Sequence, residues 1–148
     1  MIINGKHLID AFPLSPMITR KMKAHGVSYG LSEAGYDIRI EEAVTLHPFK
    51  RFSLASAHEE FQMPPYLVGL VKDKSTWARK GLSVFNTVIE PGWKGFLTLE
   101  LVYHGRGILR IPAGAGIAQV IFEEIKEAAQ YAGKYQNQTS GPTEAILE

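Results

Sequence analysis

The sequence predicts an all-β domain, a barrel or sandwich of jelly-roll type. Three observations predict it. Short runs of alternating or β-branched residues recur along the chain, glycine and proline punctuate them, and helical periodicity is confined to one stretch near the N-terminus. The chain has 148 residues, 45% of them hydrophobic, which supports one domain with a core and is too little for two comfortable ones.

The helical stretch is 15–25. Ser15 stands at a capping position and Pro16 in the first turn. Ile18 and Met22, four apart, share a face, and Gly26 ends the run. Strand patterns follow at Tyr36–Ile40, Ala43–Leu46 and Arg51–Ala55. Tyr66–Val71 comes after Pro64-Pro65, and Leu82–Ile89 is closed by Pro91-Gly92. Gly95–Tyr103 is strongly strand-like, with Phe96, Thr98, Glu100 and Val102 on one face. Ile108–Ile111, a turn at Pro112–Gly116 and Ile117–Ile125 complete the series. From Gln130 the chain turns polar, with Tyr131 and Tyr135 as its only large rings. This is either an unstructured tail or a segment that orders over a ligand or a neighbouring subunit.

Composition narrows the function. Net charge is +1 and no basic block is present, which argues against nucleic-acid binding. There is no cysteine, so disulfides, cysteine-ligated clusters and thiolate zinc sites are excluded. The five histidines are scattered. Zinc-dependent nucleobase deaminases need a His/Cys/Cys set, so any base deamination here would proceed without zinc. The first residues lack the apolar stretch of a signal peptide, and no run reaches the roughly 20 apolar residues of a membrane span. A cytoplasmic, membrane-free protein is the expectation.

Four stretches carry groups able to do chemistry. Glu100 lies in the apolar run 96–102. It is either an outward glutamate on a half-exposed strand or a carboxylate whose raised pKa suits proton transfer. In Lys74–Gly81, Ser75, Thr76 and free backbone N–H groups could cradle phosphate, with Arg79 gripping it bidentately. Helix capping by Ser75 or Thr76 is the simpler account of that cluster. In Asn86–Gly95, Glu90 ends a strand before a rigid turn, and Trp93 is a base-stacking or, more simply, a core ring. Asp37 and Arg39 share a strand face and are expected to pair internally and organise the barrel.

In order along the chain, these segments resemble the dCTP deaminases, which share their fold with trimeric dUTP pyrophosphatases. The resemblance rests on 35–39 (Gly-Tyr-Asp-Ile-Arg), 74–82 (Lys-Ser-Thr-Trp-Ala-Arg-Lys-Gly-Leu), 89–95 (Ile-Glu-Pro-Gly-Trp-Lys-Gly) and 97–100 (Leu-Thr-Leu-Glu). It continues in 116–119 (Gly-Ile-Ala-Gln) and 133–138 (Gly-Lys-Tyr-Gln-Asn-Gln). It implies a distorted jelly-roll β-barrel of dUTPase-like type with a short N-terminal helix. Residues 1–148 would form one domain, with 130–148 closing over the active site. It also implies a homotrimer with active sites at subunit interfaces.

The resemblance assigns roles. Glu100 is the catalytic glutamate, assisted by Ser75 and Arg79. Lys74, Ser75, Thr76 and Arg79 form the phosphate-binding segment. Asn86, Thr87 and Val88 lie where the base edge is read, and Glu90 where the deoxyribose is held. Tyr131, Lys134 and Gln138 close over the triphosphate. Magnesium arrives on the nucleotide phosphates and is held mainly by substrate and water. The implied reaction is zinc-independent hydrolytic deamination of a deoxycytidine nucleotide, dCTP first, to the deoxyuridine nucleotide and ammonia. Alternatives are a dUTP pyrophosphatase, a bifunctional deaminase that also releases pyrophosphate, a dCMP-preferring deaminase and a nucleotide-binding protein without catalysis. The segment between Gly81 and Glu90 is shorter than in one large branch of the family, at the place where the base is read.

Overall fold

The alternation of apolar and polar residues becomes thirteen strands and two short helices in a computed structural model that describes residues 1–148. The strands are β1 (Ile2–Ile3), β2 (Leu14–Ser15), β3 (Lys21–Ala24), β4 (Val27–Leu31), β5 (Tyr36–Arg39), β6 (Val44–Leu46) and β7 (Phe52–Gln62). They continue as β8 (Leu67–Asp73), β9 (Leu82–Val84), β10 (Val88–Ile89), β11 (Lys94–Tyr103), β12 (Leu109–Ile111) and β13 (Gly116–Glu124). The helices are α1 (Gly5–Ala11) and α2 (Ser75–Ala78).

One sheet runs β10-β8-β13-β5-β4-β3, with β1 also on β13. A second runs β2-β7-β11-β9, and β12 pairs with β6. Side chains between the sheets form the core, among them Tyr36, Ile38, Phe61, Leu99, Leu101, Ile117, Val120 and Phe122, all essentially without solvent contact. This is the all-β fold that the strand pattern called for, and it carries the short N-terminal helix that the resemblance implies. No helix is long and apolar enough to cross a membrane.

The helix is not where its pattern placed it. The stretch 15–25 contains the end of β2 and all of β3, and the helix lies earlier, at Gly5–Ala11. Lys21 and Lys23 are exposed while Met22 and Ala24 are half-buried, a period of two. His25 and Gly26 adopt positive φ of 53° and 76° and close a two-residue hairpin, pairing Ala24 with Val27. Gly26 therefore turns a strand instead of ending a helix. The strand expected at Leu82–Ile89 is also two strands. β9 pairs with β11 in one sheet and β10 with β8 in the other, so Phe85-Asn86-Thr87 crosses between sheets.

Asp37 and Arg39 do organise the barrel, but not by pairing with each other. Asp37 holds Lys74 at 2.6 Å, and Lys74 also donates to Ser28 Oγ at 2.9 Å. Arg39 Nε donates to the fully buried Glu59 at 2.8 Å and its guanidinium lies over the Tyr29 ring. Burial pushes the Glu59 carboxyl up, and Arg39 offsets part of that shift. The two side chains therefore go to different partners, Asp37 to the lysine at the start of α2 and Arg39 to Glu59 on β7.

Candidate active site

Glu100 sits on β11, where Leu99 and Leu101 point into the core. The ladder with β7 shifts register between Phe96 and Thr98, where the single residue Leu97 stands against Ala57, His58 and Glu59. Such a bulge, on the β7 side, bends the strand pair and strengthens its twist beside the cavity. Leu97, Thr98 and Glu100 all line one cavity of about 510 Å³. Leu54, directly opposite Glu100 on β7, contributes its floor. Val88, Ile89 and Glu90 enter from β10 and the turn after it, and Tyr131, Tyr135, Gln138, Thr143 and Ala145 from the C-terminal segment.

The Glu100 carboxylate is partly buried and takes part in no ion pair, and burial pushes its pKa up. The main chain around it is held from the side. Phe85 N–H donates to Glu100 O at 2.7 Å, and Asn86 Oδ1 accepts from Glu100 N–H at 2.9 Å. Asn86 Nδ2 donates to Thr98 O at 2.7 Å. Burial favours the protonated carboxyl, so Glu100 can both take and return a proton without leaving its place.

Of the residues singled out from the sequence, Glu100, Asn86, Thr87, Val88, Glu90, Tyr131 and Gln138 line this cavity together. Lys74, Ser75, Thr76 and Arg79 do not. Lys74 is committed to Asp37, so the phosphate-holding role given to it falls to a group already neutralised. Ser75 and Thr76 are exposed and do not cap α2, whose start at Lys74 has no side-chain cap. Arg79 is exposed and forms no ion pair or side-chain hydrogen bond. α2 is anchored instead by Trp77, whose Nε1 donates to Gly116 O at 2.6 Å.

The polar tail is ordered on its own chain, on the turn after β10. Trp93 Nε1 donates to Tyr135 O at 2.6 Å, and Lys94 N–H to Gln136 Oε1 at 2.7 Å. Gln138 bridges to Gly95 beside β11, with Phe96 N–H donating to Gln138 O at 3.0 Å. Further on, Thr143 N–H donates to Thr98 Oγ1 at 2.9 Å. Lys134 lies outside the cavity wall, its Nζ donating to Ile146 O. Trp93 is a core ring against Phe61 that also touches the cavity.

Several cavity residues carried no signal. Leu54 and Phe52 enter only through the pairing of β7 with β11, and Thr143 and Ala145 through a fold-back with no local pattern. The only charged groups on the wall are Glu90 and Glu100. No three His, Asp or Glu side chains converge to hold a metal.

Comparison with known proteins adds to this geometry. A family profile described as dCTP deaminase-like matches residues 34–125. A dCTP deaminase of Roseiflexus castenholzii is 33% identical over a 159-residue alignment covering 85% of this chain and 86% of that one. A dCTP deaminase of Protochlamydia amoebophila is 35% identical over 145 residues, covering 76% and 77%. Among solved structures, EIAV dUTPase superposes with a TM-score of 0.59 at 19% identity, over 83% of this chain and 98% of that one. The dUTPase of Staphylococcus bacteriophage 80alpha gives 0.60 at 19% identity, over 82% and 94%. At that identity the structures speak to the fold alone, and they match the distorted dUTPase-like jelly roll.

Proposed function

Because the chain belongs to the dCTP deaminase-like family, we propose that it is a hydrolase acting on a cyclic amidine, removing the 4-amino group of a deoxycytidine nucleotide, dCTP first, with Glu100 as proton shuttle. The observation that carries this reading is the Glu100 carboxylate itself: partly buried, pKa raised, without an ion-pair partner, on the wall of a nucleotide-sized cavity.

Glu100 takes a proton from a water molecule, and the hydroxide forms a bond to C4 of cytosine. Glu100 delivers that proton to N3 and then carries the proton of the new C4 hydroxyl to the exocyclic amine. The C4–N bond then breaks, ammonia leaves and the uracil nucleotide remains. Glu90, which lines the same cavity, holds the sugar in this reading. The backbone of Asn86 and Thr87 makes no hydrogen bond within the chain, so it offers free donors and acceptors for the base edge.

A polyphosphate beside Glu90 and Glu100 needs cations that this wall lacks. Arg79 supplies positive charge, with the hydroxyls of Ser75 and Thr76 as neutral donors, from a second copy of the chain in a homotrimer whose sites lie between subunits. The exposed apolar rim of Phe52, Phe85 and Val88 is the kind of surface such a copy covers. Magnesium, which neutralises phosphate charge when bound, would ride on the nucleotide, consistent with donors too dispersed to form a cage.

The test is incubation with dCTP, dCMP and dUTP, measuring ammonia, pyrophosphate and nucleotide products. Ammonia from dCTP is the expected outcome. No ammonia from any cytosine nucleotide would overturn the reading. Pyrophosphate from dUTP would support a second activity, for which Glu90 on the same wall is the candidate water-activating group.

A further inference from the structure

The β9–β11 ladder pairs Leu82 with Tyr103, Ser83 with Val102 and Val84 with Leu101. One step further, Phe85 N–H still donates to Glu100 O at 2.7 Å. There the main chain departs toward β10 and the other sheet. The Asn86 carboxamide takes the place of the peptide group that would have come next. Its Nδ2 donates to Thr98 O at 2.7 Å and its Oδ1 accepts from Glu100 N–H at 2.9 Å. Only one orientation of the amide satisfies a backbone acceptor and a backbone donor together, so the pair of bonds fixes it.

This substitution has two effects. It closes the β11 edge on either side of Leu99, so the strand carrying Glu100 does not fray where its neighbour leaves. It also releases the main chain of 85–87 from sheet pairing, leaving the N–H groups of Asn86 and Thr87 without partners beside the cavity. An asparagine side chain is the right length to bridge positions two apart along a strand edge. Aspartate lacks the donor, and alanine lacks both groups.

We propose that Asn86 is a positioning residue: its carboxamide replaces the missing strand pairing next to Glu100 and frees the loop backbone to read the base, and it does not read the base itself. The inference rests on Glu100's cavity being the nucleotide site.

Two variants and two kinds of readout test it. Asn86→Ala should lower kcat by about tenfold or more while the dissociation constants for dCTP and dUTP stay within about threefold of the parent, because it loosens a catalytic strand and removes no ligand contact. Asn86→Asp keeps the acceptor for Glu100 N–H, loses the donor to Thr98 O and puts a negative charge beside Glu100. It should move the Glu100 carboxyl titration, followed by carbon NMR, upward by about one unit. Dissociation constants rising tenfold with kcat intact would overturn the proposal by making Asn86 a base reader. An unmoved Glu100 titration in Asn86→Asp would overturn it too. The titration and the dissociation constants need no turnover, and together they separate a positioning Asn86 from a base reader even if the parent protein releases no ammonia, a result that would count against the proposed reaction alone. Asn86→Asp supplies both readouts if Asn86→Ala does not fold.

Discussion

Glu100 gains its chemical character from burial acting on a carboxylate with no cation beside it. Its folded pKa lies above the ordinary value, so it is protonated over a wider acid range than a surface glutamate. As the base that accepts the water proton, it must be ionised. The acid limb of kcat/KM should therefore lie above the usual carboxylate range, with activity rising as pH increases through it. Glu100→Gln should lower kcat by about 10²-fold or more with nucleotide binding retained. A full rate in that variant would remove Glu100 from the reaction. Glu59 is the structural counterpart, also raised by burial but held by Arg39. Arg39→Ala should cost about 3–5 kcal/mol at neutral pH, since it leaves a buried charge unpaired. The sign with pH follows from the raised folded pKa. Between the unfolded and folded values the native state binds more protons, so stability falls as pH rises. Urea unfolding of Arg39→Ala should accordingly show a smaller deficit in mild acid than at neutrality, and Glu59→Gln added to it should recover much of the loss.

At the scale of elements, the turn Pro91–Gly95 does more than reverse the chain. Its Trp93, Lys94 and Gly95 receive the segment 135–138. Gly95 has φ 145°, and a Cβ there would lie 2.6 Å from Gln138 N and 2.9 Å from Gln138 O. Gly95→Ala should thus expel the tail while leaving the sheets paired, at about 1–3 kcal/mol of local strain. The check is faster hydrogen exchange in 131–148 with β11 still protected, together with a raised KM for the nucleotide. Unchanged tail protection would remove Gly95 from that docking. The sequence marked Gly95 and the tail separately but not their contact, because a backbone-to-backbone approach leaves no trace in side-chain pattern. The strands β8, β11 and β13 were legible for the opposite reason: over much of their length alternate residues are buried, and burial writes a period of two. β3 was misread because Ile18 and Met22 are spaced as on a helix, and only the pairing with β4 overrides that spacing. The split of Leu82–Ile89 was hidden because Phe85 and Val88 are good strand formers left exposed, where no core selects them.

At the scale of the whole molecule, the sequence placed five charged or hydroxylic groups in one site that a single chain does not bring together. Lys74, Ser75, Thr76, Arg79 and Lys134 all lie off the wall that holds Glu90 and Glu100. The proposed chemistry on a phosphorylated nucleotide calls for both sets. If the second set comes from another subunit, catalysis belongs to the oligomer, and mixing inactive parents should restore it. Glu100→Gln chains retain Arg79, and Arg79→Ala chains retain Glu100. Each pure oligomer should be inactive. After co-expression in equal amounts, a site works when its Glu100 comes from one parent and its facing Arg79 from the other. Random assembly gives about one half times one half, or about a quarter of the sites. Size-exclusion chromatography should show the same oligomer for parents and mixture. Ammonia release near a quarter of the rate of the unsubstituted protein is the expected result. A mixture as inactive as its parents, with subunit exchange demonstrated by mass, would mean that Arg79 and Glu100 serve the same chain. The α2 segment would then have to swing onto its own cavity, against the anchor that Trp77 makes to Gly116.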